Sequence, residues 1–148
     1  MNGEPAITAV TRVIQLSIAP VFLLTALGTM LSVFSARLGR VVDRYRVLSD
    51  RLPGLPDAQR EPVRTEMVFL RKRRRVVNIA ITLATAAALL VCLLIATAFV
   101  STIVGWDFSR PVAGLFVAAM LAFIGALLAY LSEVSLAVRS VWLKDPRE

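Results

Sequence analysis

Residues 37–75 read RLGRVVDRYRVLSDRLPGLPDAQREPVRTEMVFLRKRRR, a basic stretch between two long apolar runs. It holds twelve Lys and Arg against five Asp and Glu, a surplus of seven that equals the formal net charge of the whole chain, +7. The rest of the chain is therefore neutral in sum. The 148 residues are 57% hydrophobic and only 18% charged, too apolar for an ordinary soluble domain of this size. In a membrane protein, short segments rich in Lys and Arg stay on the cytoplasmic side, so this stretch sets the orientation. A nucleic-acid binder spreads its bases over a soluble face, whereas these bases flank apolar spans, which argues against nucleic acid as a partner. His is absent and Cys92 is the only cysteine, which removes intrachain disulfides, His/Cys metal sites and His-based triads.

Toward the N-terminus, the apolar run predicts a first transmembrane helix over about 13–36, with a kink expected at Pro20. Thr25, Gly28, Thr29, Ser32, Ala36 and Gly39 follow at steps of three and four, with one step of one, and form a small or mildly polar face. In lipid such a face is where helices meet, so it is expected to be a helix contact; the alternative is the lining of a polar path. Leu38, Val41, Val42, Tyr45, Leu48 and Leu52 continue the helical pattern to about Ser49 or Asp50, where Pro53, Gly54 and Pro56 break it. Asp57, or Glu61 with Pro62 in the first turn, starts a second arm with Val63, Met67, Leu70, Arg74 and Val77 as its seam. Two such arms around a tight turn make a short helical hairpin over about 37–75.

Arg71, Lys72, Arg73, Arg74 and Arg75 end the second arm where the membrane begins, and anionic lipid headgroups are their expected partners. A second span covers about 76–104 and a third about 112–138, joined by a short turn with Trp106 suited to the interface. Cys92, inside the second span, reads as a small hydrophobe. On the third span Gly114, Ala118, Ala122, Gly125 and Ala129 recur at steps of four and three, and the next member of the series is Glu133. A carboxylate on a close-packing seam faces protein in place of lipid. Counting Arg139, Lys144 and Arg147 with the hairpin puts fifteen bases inside, against Arg12 and Arg110 outside, so the N-terminus is expected outside and the C-terminus in the cytoplasm.

The segments Ala19-Pro20 with Leu23-Leu24-Thr25-Ala26, and Arg37-Leu38-Gly39-Arg40-Val41-Val42-Asp43-Arg44, resemble the domain of unknown function 2721 family of bacterial membrane proteins. Arg73-Arg74-Arg75, Asn78-Ile79-Ala80-Ile81, Cys92-Leu93 with Phe99, and Leu131-Ser132-Glu133-Val134 extend the resemblance over nearly the whole chain. It implies a small bacterial integral membrane protein and no particular reaction; the reading as a whole places the chain in the bacterial inner membrane.

The expected fold is therefore an all-α membrane protein: one domain over 1–148, with three transmembrane helices and a cytoplasmic basic helical hairpin between the first and second. No constellation for catalysis, no phosphate-binding loop and no cofactor or metal site is found in the sequence. Glu133 is expected to pair with Arg37, Arg40, Arg75 or Asn78 as a structural tie; the functional alternative is an ion or proton site on a pathway. Two function classes follow. One is a homo-oligomeric assembly or interaction protein, with a cytoplasmic protein partner possible. The other is a homo-oligomeric channel or transport protein with Thr25, Thr29, Ser32 and Glu133 at its axis. By layout alone, the chain also looks like the membrane insertase superfamily, an analogy of fold.

Overall fold

The computed structural model describes the backbone of residues 4–105 and 109–142, and side-chain surroundings for 11–12, 14–15, 17–105 and 109–135. The expected interfacial turn at Trp106, Asp107 and Phe108, the side chains of Arg139 and Trp142, and Lys144 and Arg147 lie outside the described residues. The described residues form three α-helices: α1 (Glu4–Arg51), α2 (Asp57–Val104) and α3 (Ser109–Trp142), with a 3₁₀ turn at Leu52–Gly54. Each is long and apolar enough over part of its length to cross a membrane. With 48 residues each, α1 and α2 have contours of about 72 Å, more than twice a hydrocarbon core of about 30 Å. Each is therefore longer than a single crossing requires.

α1 continues through Pro20, which is buried, and reaches Arg51, one residue past the expected end. Its break is stitched by Arg60, whose Nε donates to the Leu55 carbonyl at 2.9 Å and whose Nη2 donates to that of Pro53 at 3.4 Å. The same guanidinium pairs with Asp57 at 2.8 Å. Asp57 thus opens α2, where a negative charge also complements the helix dipole, and Pro62 falls inside the helix. Glu61 is not the start. α2 ends at Gly105, whose φ of +75° is the left-handed conformation that glycine tolerates at a helix C-terminus.

The chain divides into two compact units, Met1–Leu31 with Leu83–Ile124, and Ser32–Thr82 with Gly125–Glu148. In the first, Leu27, Ala84, Ala87, Val91, Leu94 and Ala119 are buried. In the second, Val41 and Leu48 of α1 pack with Met67 and Leu70 of α2, and Tyr45, Leu52 and Val63 close around them. Phe34, Val77, Ala80, Ala126 and Glu133 are also buried in this unit.

Burial along each helix recurs at seven residues. On α1 it falls on Pro20, Leu27, Phe34, Val41 and Leu48, and on α3 on Ala119, Ala126 and Glu133. On α2 two interleaved series run Leu70, Val77, Ala84, Val91 and Ala80, Ala87, Leu94. A period of seven is the seam of left-handed helix packing, whereas the steps of four read from the small residues drift off that seam. Accordingly Thr25, Gly28, Thr29 and Ser32 are exposed, and a Cβ built on Gly28 would meet nothing within 4 Å. Gly114 and Ala118 are exposed as well, and Ala122, Gly125 and Ala129 are half-buried. Of the small-residue series on α3, only Glu133 lies on the buried stripe.

Candidate functional site: a buried carboxylate between two arginines

Glu133 is fully buried and is the one buried polar or charged residue among the described residues. It stands seven residues beyond Ala126 on α3, so the helix delivers it to the core in the place of an apolar residue. Bare burial of a carboxylate costs several kcal/mol, roughly, unless it is paired and hydrogen-bonded. Both of its oxygens are engaged. Arg73 of α2 donates to Oε1 from Nε at 3.0 Å and also from Nη2, and Arg37 of α1 donates to Oε2 from Nη1 at 3.3 Å. The side chains of Arg37 and Arg73 are 34% and 21% exposed, so neither is fully enclosed with the carboxylate.

Aromatic rings complete the setting. The Arg37 guanidinium lies 5.1 Å from the ring centroid of Tyr130, and Tyr130 packs on Phe34 with centroids 4.8 Å apart at 33°. Tyr130 and Glu133 are three residues apart on α3, nearly one turn, which lets one arginine meet both. Phe34 and Arg37 have the same spacing on α1. No buried side-chain nitrogen or oxygen among the described residues lacks a partner, so the burial of Glu133 is compensated.

This geometry sorts the residues named from the sequence. Of Arg37, Arg40, Arg75 and Asn78, only Arg37 reaches Glu133. Arg40 and Arg75 are exposed, as is Asn78, whose carbonyl accepts from Thr82 Oγ1 at 2.9 Å. The main partner is Arg73, which the sequence places among the lipid anchors. Within the run 71–75, Arg71 donates to Tyr45 Oη at 2.9 Å, while Lys72, Arg74 and Arg75 are exposed. One signal marks Arg73 in hindsight: it precedes Ala80, Ala87 and Leu94 by multiples of seven, on the buried series of α2. Tyr130 carries no comparable mark.

The match to known families settles what the chain is similar to. Residues 17–143 match the family described as Protein of unknown function (DUF2721). The chain belongs to the DUF2721 family. No curated protein and no solved structure matches it significantly.

Chemically, the triad of this DUF2721 protein is a carboxylate shared by two guanidiniums. Each guanidinium donates to one carboxylate oxygen and sets a positive charge beside it, so the three groups satisfy one another across three helices. A cation approaching Glu133 would meet Arg37 and Arg73 first. The threonines of the small face are likewise satisfied within their own helix: Thr25 donates to the Val21 carbonyl at 3.3 Å and Thr29 to that of Thr25 at 3.1 Å. Such back-bonding lets hydroxyls sit in an apolar medium without water.

Proposed function

We propose that this DUF2721 protein is an assembly or interaction protein of the bacterial inner membrane, without catalytic activity, in which the Arg37–Glu133–Arg73 triad is a structural tie. The carrying observation is that both Glu133 oxygens accept from arginines and the carboxylate is fully buried, which sets two cationic groups against the approach of a transported cation. Residues 37–75 then form a cytoplasmic basic hairpin. Its packed seam of Val41, Leu48, Met67 and Leu70 supports that reading, and its surplus of bases supports the orientation, with the N-terminus outside and the C-terminus inside. Exposed Lys72, Arg74 and Arg75 meet anionic headgroups.

Homo-oligomer formation rests on what the fold leaves uncovered. Large apolar side chains such as Phe22, Leu89, Ile103, Leu121 and Leu128 are exposed, as lipid contact requires. The exposed small residues Thr25, Gly28 and Thr29 offer a second copy a close approach of the kind that drives helix association in lipid. Gly125 and Ala129 are half-buried and lend less to such a face.

Ion flux into liposomes, measured with oligomeric mass in the same preparation, tests the reading with wild type beside Glu133→Gln. Wild type is expected to show a mass that is a multiple of 16.2 kDa and no flux above empty liposomes. Glu133→Gln is expected to weaken assembly and leave flux at the same baseline. Flux that disappears in Glu133→Gln while assembly persists would instead establish the channel.

A further inference from the structure

Beside the triad, and within the same unit, lies an open pocket of about 340 Å³ lined by Arg37, Arg40, Arg44 and Arg73 with Val41 and Leu70. We propose that it is a binding site for a phosphate group carried on a larger molecule, either a lipid headgroup or a soluble phosphoester.

Three of the arginines stand on α1 at steps of three and four, which puts them on one face, and the fourth comes from α2. Three are held in place by carboxylates. Arg37 and Arg73 are bound to Glu133, and Arg44 is bound to Glu66 through Nε at 3.0 Å and Nη2 at 2.9 Å. These bonds leave donors over: Nε and Nη2 on Arg37, Nη1 on Arg73 and Nη1 on Arg44. Arg40 has no carboxylate partner among the described residues, so its whole fork is available. Four guanidinium charges against the two carboxylates leave two positive charges, which matches a phosphate carrying one to two negative charges.

The arrangement differs from a diffuse basic surface in two respects. The arginines whose carboxylate bonds fix their rotamers are pre-organised, so less entropy is lost when an anion is captured. The walls include Val41 and Leu70, and the volume falls at the lower end of small-ligand sites, about 300–1,000 Å³, which leaves room for the group that bears the phosphate. Arginine's planar fork suits bidentate phosphate contacts, and all four bases in the pocket are arginine. The exposed run Lys72, Arg74 and Arg75 does not line it.

The test is calorimetric titration of inorganic phosphate into the full-length protein, first in neutral detergent and then in nanodiscs of phosphatidylcholine with or without phosphatidylglycerol. Arg40→Gln removes the uncommitted fork and leaves both ion-pair sets intact. It is expected to weaken phosphate binding about five- to tenfold, the worth of one charge-assisted contact. Arg74→Gln, outside the pocket, is expected to change affinity less than about twofold. Arg40→Lys keeps the charge without the fork and should fall between. If phosphatidylglycerol blocks the phosphate signal, the ligand is a headgroup; if it does not, the ligand is a soluble phosphoester. Equal loss in Arg40→Gln and Arg74→Gln, equal affinity in Arg40→Gln and wild type, or no binding of phosphate or phosphatidylglycerol by wild type would each overturn the site. None of these outcomes depends on whether the protein oligomerises or conducts ions.

Discussion

The two units of this chain are held together by different physics. In Met1–Leu31 with Leu83–Ile124, the buried side chains named above are apolar and half of them alanine: Ala84, Ala87 and Ala119, with Leu27, Val91 and Leu94. Thr25, Thr29, Thr97, Ser101 and Thr102 each donate to a carbonyl of their own helix. In Ser32–Thr82 with Gly125–Glu148 lie all four ion pairs found among the described residues, together with the buried carboxylate and a larger-residue seam of Leu48, Met67 and Leu70. The contrast teaches where each force is effective. With the first unit in lipid and the second reaching into water, as the proposed topology has it, apolar transfer offers nothing between the helices of the first, so close packing must suffice, whereas larger apolar side chains regain their drive in the second.

The largest expected effect comes from removing the central charge of the second unit. Glu133→Ala strands two partly buried guanidiniums beside each other and should destabilise the fold by about 4–5 kcal/mol, read from denaturant unfolding in micelles followed by circular dichroism. Replacing the whole triad, with Arg37→Met, Arg73→Met and Glu133→Leu together, should recover most of that loss, because the remaining cost of burial disappears with the charges. A triple variant as unstable as Glu133→Ala would mean that the triad contributes net stability. The contrast between the units would then be sharper still.

A middle-sized effect compares two leucines. Leu48→Ala loses both transfer and cavity contributions and should cost about 3 kcal/mol, whereas Leu27→Ala in lipid loses mainly packing and should cost on the order of 1–2 kcal/mol. Leu27 is 0% and Leu48 6% exposed, so the two are fairly matched in burial. Equal losses in the same unfolding assay would break the comparison by placing both side chains in one kind of solvent. The smallest effect belongs to Glu66→Gln, which removes the pair to Arg44 at side-chain exposures of 51% and 30%. It should cost about 0.5 kcal/mol or less, and the difference from wild type should shrink further in high salt.

Much of this molecule is written in the order of its residues. Apolar length, the break at Pro53, Gly54 and Pro56, and the basic stretch between two apolar runs give three helices long enough to span a membrane. The arm seam of Val41, Leu48, Met67 and Leu70 is legible too, because helix periodicity is local. Even the anomaly of Glu133, a carboxylate deep in an apolar helix, stands out from composition alone.

What the sequence does not contain is the choice of partner. Arg37 and Arg40 stand within one turn of each other on α1 with nothing local to separate the inward arginine from the outward one, and Arg73 is told from Arg75 on α2 only by a seven-residue series that the buried stripe reveals. The contacts that decide it join residues 96 and 60 positions apart. They depend on how each helix is rotated about its axis, and that rotation is set by the whole seven-residue stripe finding its match on neighbouring helices. The small-residue faces of Thr25, Gly28 and Thr29, or of Gly114 and Ala118, are equally good helix faces on paper; tertiary packing selected the other face, because only a seam repeating every seven residues stays buried along helices this long.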